Sequence, residues 1–160
     1  MEEIVITAAE SEYIEPAVQI AIAAWTPIRE IFREELGDEL YEGFFAGWQA
    51  SKRRDVERGL QSGRGYVALL DGRVVGFISY TLSDDRKIGT IGTNAVAPDC
   101  RGKGIGPRLY AFVQERMRGE GAEFAQVETG GDEGHAPARR AYEKAGFERF
   151  LPQRCYFKKL

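Results

Sequence analysis

A glycine-rich run between two apolar segments constrains this chain most. Residues 101–106 alternate cations with glycines, and they follow a strand-like segment that ends at Pro98. Apolar residues then recur at helical spacing, at Ile105, Leu109, Phe112, Val113 and Met117. Glycines let main-chain N–H groups converge on one point, and the first turn of a helix leaves N–H donors free. The order of strand, loop and helix therefore predicts a cradle for a phosphate or pyrophosphate.

The spacing of the glycines distinguishes this loop from other phosphate-binding loops. A P-loop needs G-x-x-x-x-G-K-[ST], which the chain lacks, and a dinucleotide fingerprint needs G-x-G-x-x-G. Arg101, Gly104 and Gly106 instead form R-x-x-G-x-G, preceded by V-x-P. This order resembles the central coenzyme A motif of the GNAT superfamily of N-acetyltransferases. A plain glycine-rich turn into a surface helix is the alternative interpretation.

A second segment strengthens the resemblance. Residues 135–147 resemble the family's second motif, N-x-x-A-x-x-x-Y-x-x-x-G-F, with His135 in place of the asparagine. Pro137 suits a first helical turn, and Gly146 is placed to end the helix. The two motifs stand in the family's order, and the stretch they span covers most of the last two-thirds of the chain. The first sixty residues match only in general character.

The resemblance implies one GNAT-like domain over residues 1–160. Its class is α/β (α+β), with a mixed, mostly antiparallel sheet of about seven strands flanked by helices. Two central parallel strands, at 87–96 and 124–128, would splay apart into a V-shaped slot for acetyl-coenzyme A. Hydrophobic periodicity and turn residues give the same order of elements. We expect strands at 4–7, 65–70, 74–82, 87–96, 124–128, 147–150 and 154–158.

The helices are predicted from apolar faces and from their breakers. The first helix opens at Ser11 or Glu12, and Pro27 is expected to break it and start the next one. Residues 28–36 and 40–60 are predicted to be helical, with interruptions around Gly37 and Gly47. One further helix follows the glycine loop and ends near Gly119. Another lies within the second motif and runs to Ala145.

Composition excludes several classes of protein. The chain has 160 residues, which suits one domain, and its net charge of −3 at pH 7 gives no basic field for nucleic acid. Cys100 and Cys155 form neither a metal pattern nor a disulfide framework, so reduced cysteines and no metal site are expected. The N-terminus does not resemble a signal peptide, and no apolar run approaches the ~20 residues that span a bilayer. We therefore expect a cytoplasmic protein with no membrane or nucleic-acid partner.

The resemblance also assigns residues to the cofactor. Main chain near residues 95–97 would pair with the pantetheine arm like an added strand. The loop at 101–106 would hold the pyrophosphate, with Arg108 nearby, although Pro107 removes one backbone donor. His135 and Ala138 would contact the cofactor from the second motif. The cofactor-binding set is Val96, Ala97, Arg101, Gly102, Lys103, Gly104, Ile105, Gly106, Arg108, His135 and Ala138.

Two residues are candidates for the chemistry of acetyl transfer to a primary amine. Tyr142 matches the family's phenol, which would protonate the leaving thiolate; the alternative is a core aromatic. Glu128 is placed at a strand end beside the slot, where it would take the amine proton, directly or through water. A merely solvated carboxylate is the alternative there. Asn94 is a candidate for holding a water, and His135 is better suited to the cofactor than to the base role.

The acceptor is expected to be a small molecule or a peptide, and the early helices are expected to form its site. They carry Trp25, Phe32, Tyr41, Phe44, Phe45 and Trp48, whose alternative role is packing against the sheet. Two other functions stay open: a non-catalytic acetyl-coenzyme A sensor or assembly module, and a domain that cradles a different nucleotide. The oligomeric state is also open, with a homodimer as one option.

Overall fold

Five strands form one sheet with helices on both faces in the computed structural model, which describes residues 3–160. The strands are β1 Ile4–Ala8, β2 Gly65–Leu70, β3 Arg73–Leu82, β4 Ile88–Val96 and β5 Phe124–Gln126. The helices are α1 Ser11–Leu36, α2 Asp38–Phe45, α3 Trp48–Leu60, α4 Ile105–Gly119 and α5 Ala136–Lys144. Single helical turns lie at Pro98–Cys100 and Glu133–His135.

The sheet is mixed and mostly antiparallel, as predicted. Its strand order is β1-β2-β3-β4-β5, and only the β4–β5 pair is parallel. That parallel ladder joins Ile88–Thr90 to Phe124–Gln126 and then stops, while β4 continues to Val96. The pairing of the two parallel strands therefore ends at Thr90 and Gln126, and β4 runs on alone, which agrees with the predicted splay.

A bulge in β4 lies just beyond the point where the two strands part. Ile78 of β3 faces Asn94, but Tyr80 faces Ile91, so two residues of β4 stand opposite Ser79 alone. A Cβ on Gly92 would lie 2.7 Å from Ser79 Oγ, so a larger residue there would force the Ser79 side chain to move. A bulge bends its strand and reverses the faces of the residues beyond it. The bulge therefore turns Asn94 to the face of the sheet that α4 covers.

The two faces of the sheet are covered by different helices. A Cβ on Gly76 of β3 would meet Ile105 and Leu109 of α4, and one on Gly89 would meet Met117 of α4. On the opposite face, Ser79 Oγ lies 2.5 Å from the Cβ position of Gly59 in α3. Helix α5 packs beside α4, while α1 packs with α3. The slot between β4 and β5 thus has an α4–α5 side and an α1–α3 side.

The expected helix break at Pro27 is wrong, because α1 runs through it to Leu36. Proline removes one main-chain donor and normally interrupts a helix. Here Thr26 Oγ1 donates to the Ile22 carbonyl at 2.7 Å, one turn before the proline. Ala21 and Ile28 are buried on either side of it. The carbonyl that Pro27 leaves without its usual donor is that of Ala23, so packing on both sides of the proline, rather than the Thr26 bond, accounts for the continuous helix.

The interruptions expected at the two glycines are confirmed. Gly37 has a φ of 77° and separates α1 from α2, and Gly47 has a φ of 71° and separates α2 from α3. These positive values lie in the region that residues with a Cβ rarely adopt. Helix α2 begins at Asp38, two residues before the predicted start.

The predicted strands at 147–150 and 154–158 do not form, so the described sheet has five strands rather than about seven. Phe147 packs edge-on against Tyr142, but the apolar residues that follow point outward. A three-residue edge strand offers few ladder partners, and helix α2 attracts the end of the chain instead. Phe157 lies 4.9 Å from Phe44, ring centre to ring centre. Phe150, Leu151, Tyr156 and Leu160 are each more than four-fifths exposed.

An ion pair fixes the end of α4 against the start of β2. Arg64 directs Nε and Nη2 to the Glu120 carboxylate at 3.0–3.2 Å, and the Tyr80 hydroxyl donates to the same carboxylate at 2.5 Å. The hydrogen bonds from Arg64 and Tyr80 lower the pKa of Glu120 to about 2. Because α4 starts at the glycine loop, this anchor at its far end holds the helix that carries the predicted cradle.

Replacement of Glu120 by glutamine tests this anchor. A carboxyl whose pKa is lowered in the folded state stabilises the protein above its ordinary pKa and loses that effect as pH falls toward the folded value. We expect Glu120→Gln to lower the free energy of unfolding by about 1 kcal/mol at pH 7. The difference from the parent should shrink between about pH 4.5 and pH 2 in urea titrations. Glu123→Gln, at an exposed carboxyl nearby, is the control; equal effects of the two changes would contradict the assignment.

Candidate active site

The glycine loop follows β4 without a break. Ala97 is buried and its N–H donates to the Val75 carbonyl at 2.8 Å, which fixes the end of β4 to β3. Gly102 and Gly104 then have φ values of 80° and 77°. A Cβ at either glycine would meet nothing within 4 Å, so the loop needs glycine for its backbone conformation and leaves open space outside it.

Helix α4 begins directly at this loop. Ile105 is buried in the core and anchors the first turn, and Pro107 is the third helical residue. The donor that proline lacks is one of the four that a helix start leaves without an internal partner, so Pro107 is compatible with the helix. The side chains of Arg101, Lys103 and Arg108 are exposed around the loop. Free N–H groups, the helix dipole and these cations together favour an anion.

A hydrogen-bonded group of two phenols and an amide lies on the α4–α5 side of the slot. Asn94 Nδ2 donates to the Tyr142 hydroxyl oxygen at 3.0 Å and to the Gly92 carbonyl at 3.0 Å. The Tyr110 hydroxyl donates to Asn94 Oδ1 at 3.0 Å. The rings of Tyr110 and Tyr142 lie 5.1 Å apart, centre to centre. Asn94 therefore connects the β4 bulge to a tyrosine of α4 and a tyrosine of α5.

Burial controls the protonation of both phenols. Burial raises the pKa of Tyr142, and the hydrogen bonds from Asn94 and Tyr110 partly oppose that rise. Burial also raises the pKa of Tyr110, and the nearby Tyr142 adds to the rise. Both phenols are therefore protonated at neutral pH. Because Tyr142 accepts from Asn94, its own proton is not used in that bond and remains available to another acceptor.

His135 is fixed at the start of α5, facing α1. Its Nδ1 lies 2.6 Å from Asp132 Oδ2, and its main-chain N–H lies 3.2 Å from Asp132 Oδ1. Arg139 donates to the carbonyls of Gly130 and Asp132 at 2.7 and 2.6 Å, which holds the same loop. The His135 ring lies 6.3 Å from that of Phe32 in α1. The structure thus shows a helix-start position for His135, and its predicted contact with the cofactor stays a prediction.

Glu128 lies beyond the last strand rather than at its end. Strand β5 stops at Gln126, and the Glu128 side chain is exposed. Gln126 Nε2 donates to Thr90 Oγ1 at 2.9 Å. Thr90 follows Gly89, which faces α4, so Thr90 and Gln126 lie on the α1–α3 face. The base role of Glu128 stays a prediction.

The two cysteines differ in environment. Cys100 is buried below the loop, where Arg73 Nη2 lies 3.0 Å from its sulfur, and Cys155 is exposed near the end of the chain. Neither is in a disulfide. Among residues 3–160 no group of three or more His, Cys, Asp or Glu side chains is placed to hold a metal ion. No helix within that range is long and apolar enough to cross a membrane.

Sequence reasoning missed the amide that holds Tyr142 and the acid that holds His135. Asn94 was expected only to hold a water, and Tyr110 and Asp132 were not expected at the site. One signal was present: a glycine inside a strand pattern, here Gly92, often marks a bulge. A bulge between Gly92 and Asn94 would have placed Asn94 on the α4 face.

Comparison with known families agrees with this geometry. Residues 25–147 match the profile of the acetyltransferase (GNAT) family, and the chain belongs to that family. The match includes both the glycine loop and the segment with Tyr142. The protein is therefore an acetyltransferase of the GNAT type. No curated protein sequence matches the chain.

Solved structures share its fold at low sequence identity. The aminoglycoside N-acetyltransferase AAC(6')-Iy in complex with CoA is 17% identical, with a TM-score of 0.69, over 100% of this chain and 97% of that one. The PaiA N-acetyltransferase from Thermoplasma acidophilum in complex with coenzyme A is 17% identical, with a TM-score of 0.67, over 90% of this chain and 89% of that one. A transcriptional regulator from Bacillus halodurans is 20% identical, with a TM-score of 0.64, over 97% of this chain and 100% of that one.

Changes at Asn94 test whether its amide directs the Tyr142 proton. In Asn94→Asp, both phenols would donate to a carboxylate, so the Tyr142 proton would be taken up. We expect Asn94→Asp and Asn94→Ala each to lower kcat about tenfold or more, with the affinity for acetyl-coenzyme A within a few fold of the parent. Steady-state thiol release and calorimetry measure the two quantities. If Asn94→Asp retained the parent kcat, the amide would serve only in packing.

Proposed function

We propose that the protein transfers an acetyl group from acetyl-coenzyme A to a primary amine of a small molecule or peptide, by direct attack in a ternary complex. One observation carries this proposal: a buried phenol, Tyr142, is held with its proton available beside a strand edge that leads into the glycine loop. The family membership supports the acetyl transfer in general. The amine acceptor and the direct mechanism are the proposed steps.

The residues present fit acetyl-coenzyme A. From Ile91 to Val96, the edge of β4 turned toward β5 has no strand partner among the described residues, which supports pairing of main chain up to Val96 with the pantetheine arm. The N–H of Ala97 donates to Val75 and its carbonyl accepts from Cys100, so Ala97 would contact the arm without pairing with it. Gly102 and Gly104 leave open space outside the loop for the pyrophosphate. Arg101, Lys103, Ile105, Gly106 and Arg108 complete the cradle, and His135 and Ala138 complete the proposed set from α5. Bound there, acetyl-coenzyme A supplies a thioester-activated acetyl group.

The side chains have separate roles in the proposed reaction. Tyr142 donates its proton to the leaving thiolate, with Asn94 accepting from Tyr110 and donating to Tyr142 so that the phenol stays oriented. The amine must be neutral to attack, so a base has to remove its proton. Glu128 lies two residues after β5, whose last residue, Gln126, is on the α1–α3 side, and this place in the chain supports Glu128 as that base.

The two rival functions predict different behaviour. A sensor or assembly module would bind acetyl-coenzyme A without transfer, and a nucleotide-binding domain would bind ATP or NAD in the same cradle. The orientation of Tyr142 favours the enzyme, because a binding module gains nothing from an oriented proton donor. Release of the coenzyme A thiol in the presence of amines distinguishes the enzyme from the sensor. Competition of ATP or NAD with coenzyme A for the cradle distinguishes the nucleotide-binding domain from both.

The setting of the reaction is also a proposal. The low net charge supports a partner other than nucleic acid, and we propose a cytoplasmic enzyme that acts on free amines away from membranes. A homodimer is supported by the open outer edge of β5 and by the exposed apolar residues after Phe147. The structure of AAC(6')-Iy, which has a similar fold, was solved in complex with the bisubstrate analogue CoA-S-monomethyl-acetylneamine. That complex describes the acceptor of AAC(6')-Iy and not of this chain.

Valine at Gly104 tests the cofactor site. The positive φ strains any side chain there, and a valine would fill the open space proposed for the pyrophosphate. We expect Gly104→Val to weaken acetyl-coenzyme A binding by more than tenfold in calorimetry. Gly63→Val is the matched control, since Gly63 has a φ of 84° in open space away from the loop. Unchanged affinity in Gly104→Val would remove the pyrophosphate from this loop.

Glutamine at Glu128 tests the proposed base. Without the carboxylate, transfer depends on amine that has already lost its proton, and a free primary amine has a pKa of about 10.4. We expect Glu128→Gln to lose most rate at low pH and to approach the parent as pH rises. The pH–rate profile with one primary amine measures this. A profile parallel to that of the parent would leave solvent as the proton acceptor.

A further inference from the structure

One arginine of α1 lies among aromatic rings. The guanidinium carbon of Arg29 is 5.3 Å from the ring centre of Phe32, 4.8 Å from that of Phe45 and 5.5 Å from that of Trp48. These rings come from α1, α2 and α3, and Trp48 is buried. The aromatic faces attract the cation and fix its position. Arg29 is thus held where three helices meet.

Arg29 has no anionic partner among residues 3–160. Its Nε is buried without a hydrogen-bond partner, and among residues 3–160 no carboxylate forms an ion pair with it. Burial lowers the pKa of Arg29. The two terminal nitrogens are not buried and donate no hydrogen bond within the described part of the chain. A fork of donors is therefore fixed in place and left open to an incoming anion.

The next arginine along the same helix shows the ordinary arrangement. Arg33 lies 4.2 Å from the ring centre of Tyr41, and it also donates to Asp38 at 3.0 Å and to Glu42 at 2.5 Å. Its charge is therefore neutralised at the surface. The contrast shows that an aromatic contact in this region does not exclude acidic partners, and that Arg29 is the exception.

A second cation adds to the positive charge. Lys52 of α3 lies 3.9 Å from the ring centre of Trp25, and it is half-buried. Burial lowers the pKa of Lys52, Asp55 raises it, and the charge of Arg29 lowers it further. Two like charges near each other, both partly removed from water, favour a bound anion.

Arg29 and the rings around it lie on the side of the slot that we propose for the acceptor. Phe32, which contacts Arg29, also lies beside His135, in the loop that joins β5 to the helix of Tyr142. That loop also packs on Ile28 and Ile31 of α1, as the surroundings of Gly134 show. Apart from His135, the proposed cofactor residues lie in β4, in the glycine loop or on the α4–α5 side, whereas Arg29 and its rings lie on the side of the sheet that α1 and α3 cover. A group bound to Arg29 would enter from the side left to the acceptor.

We propose that Arg29, supported by Lys52, binds a carboxylate of the acceptor, so that the substrate is an aromatic or apolar amine that carries a carboxylate. The aromatic rings around the guanidinium would contact the apolar part of the same molecule. This inference rests on the proposed acetyl transfer. It disfavours polycationic acceptors such as aminoglycosides and polyamines, since the two cations would repel them.

A matched pair of amines tests the inference. para-Aminomethylbenzoate and para-aminomethylbenzamide differ in the carboxylate and share the ring and the primary amine. Their affinities are measured by calorimetry with coenzyme A present, and their transfer by thiol release with acetyl-coenzyme A. Because a hydrogen bond to a charged group is a strong one, we expect the acid to bind about tenfold or more tighter than the amide. The polyamine spermidine should bind more weakly than either.

Variants locate the effect. Arg29→Met should bring the ratio of acid to amide affinity to within about twofold of one, and Arg29→Lys should give an intermediate ratio. Arg33→Met, one turn along α1, should leave the ratio unchanged. Thermal melts check that each variant is folded, and the preference of the parent protein is informative without any variant.

The two readouts separate this inference from the proposed function. Transfer to both amines with equal affinity for acid and amide would overturn the carboxylate site and leave acetyl transfer standing. Tighter binding of the acid without thiol release would support the site and count against the transfer. Binding of neither amine, or tighter binding of spermidine, would overturn the carboxylate site.

Discussion

The bulge opposite Ser79 is the feature on which the site depends. Ahead of it, Gly89 faces α4 and Thr90 bonds to Gln126 on the other face. Regular alternation would place Asn94 on the same face as Thr90. The extra residue reverses this, so Asn94 reaches the phenols of α4 and α5. A single backbone irregularity, just beyond the end of the β4–β5 ladder, therefore turns the amide to the side of the phenols.

Order and type of elements were predictable from sequence because local signals carry them. The glycines at 102 and 104 need positive φ, and the apolar spacing after Ile105 fixes α4. The splay between β4 and β5 was predicted from the family resemblance and not from the residues themselves. The prediction at Pro27 was wrong because packing on both sides of it compensates for the lost main-chain bond, and such packing is not visible to a local rule. The strands after Phe147 failed for a similar reason, since pairing depends on a partner edge as well as on propensity.

The candidate site divides in the same way. Tyr142 was found by its motif, but what makes it useful is Asn94, which is 48 residues away in sequence. Side chains that meet across the sheet carry no joint signal in one sequence. Arg29 shows the same limit, because in sequence it is one charge on an amphipathic helix. The three rings around it and the lack of an acidic partner within residues 3–160 distinguish it from Arg33.

Both sides of the slot carry cations, but the cations differ in their exposure to water. On the cofactor side, cations lie at an exposed loop, where a large anion is met by main-chain donors and remains partly in water. On the other side, a cation is partly desolvated among rings, so an anion there would meet few competing waters and one fixed fork. A carboxylate bound to Arg29 would hold the acceptor at one end. Its amine would then be left to approach the acetyl group, which a primary amine without such an anchor would reach in many orientations.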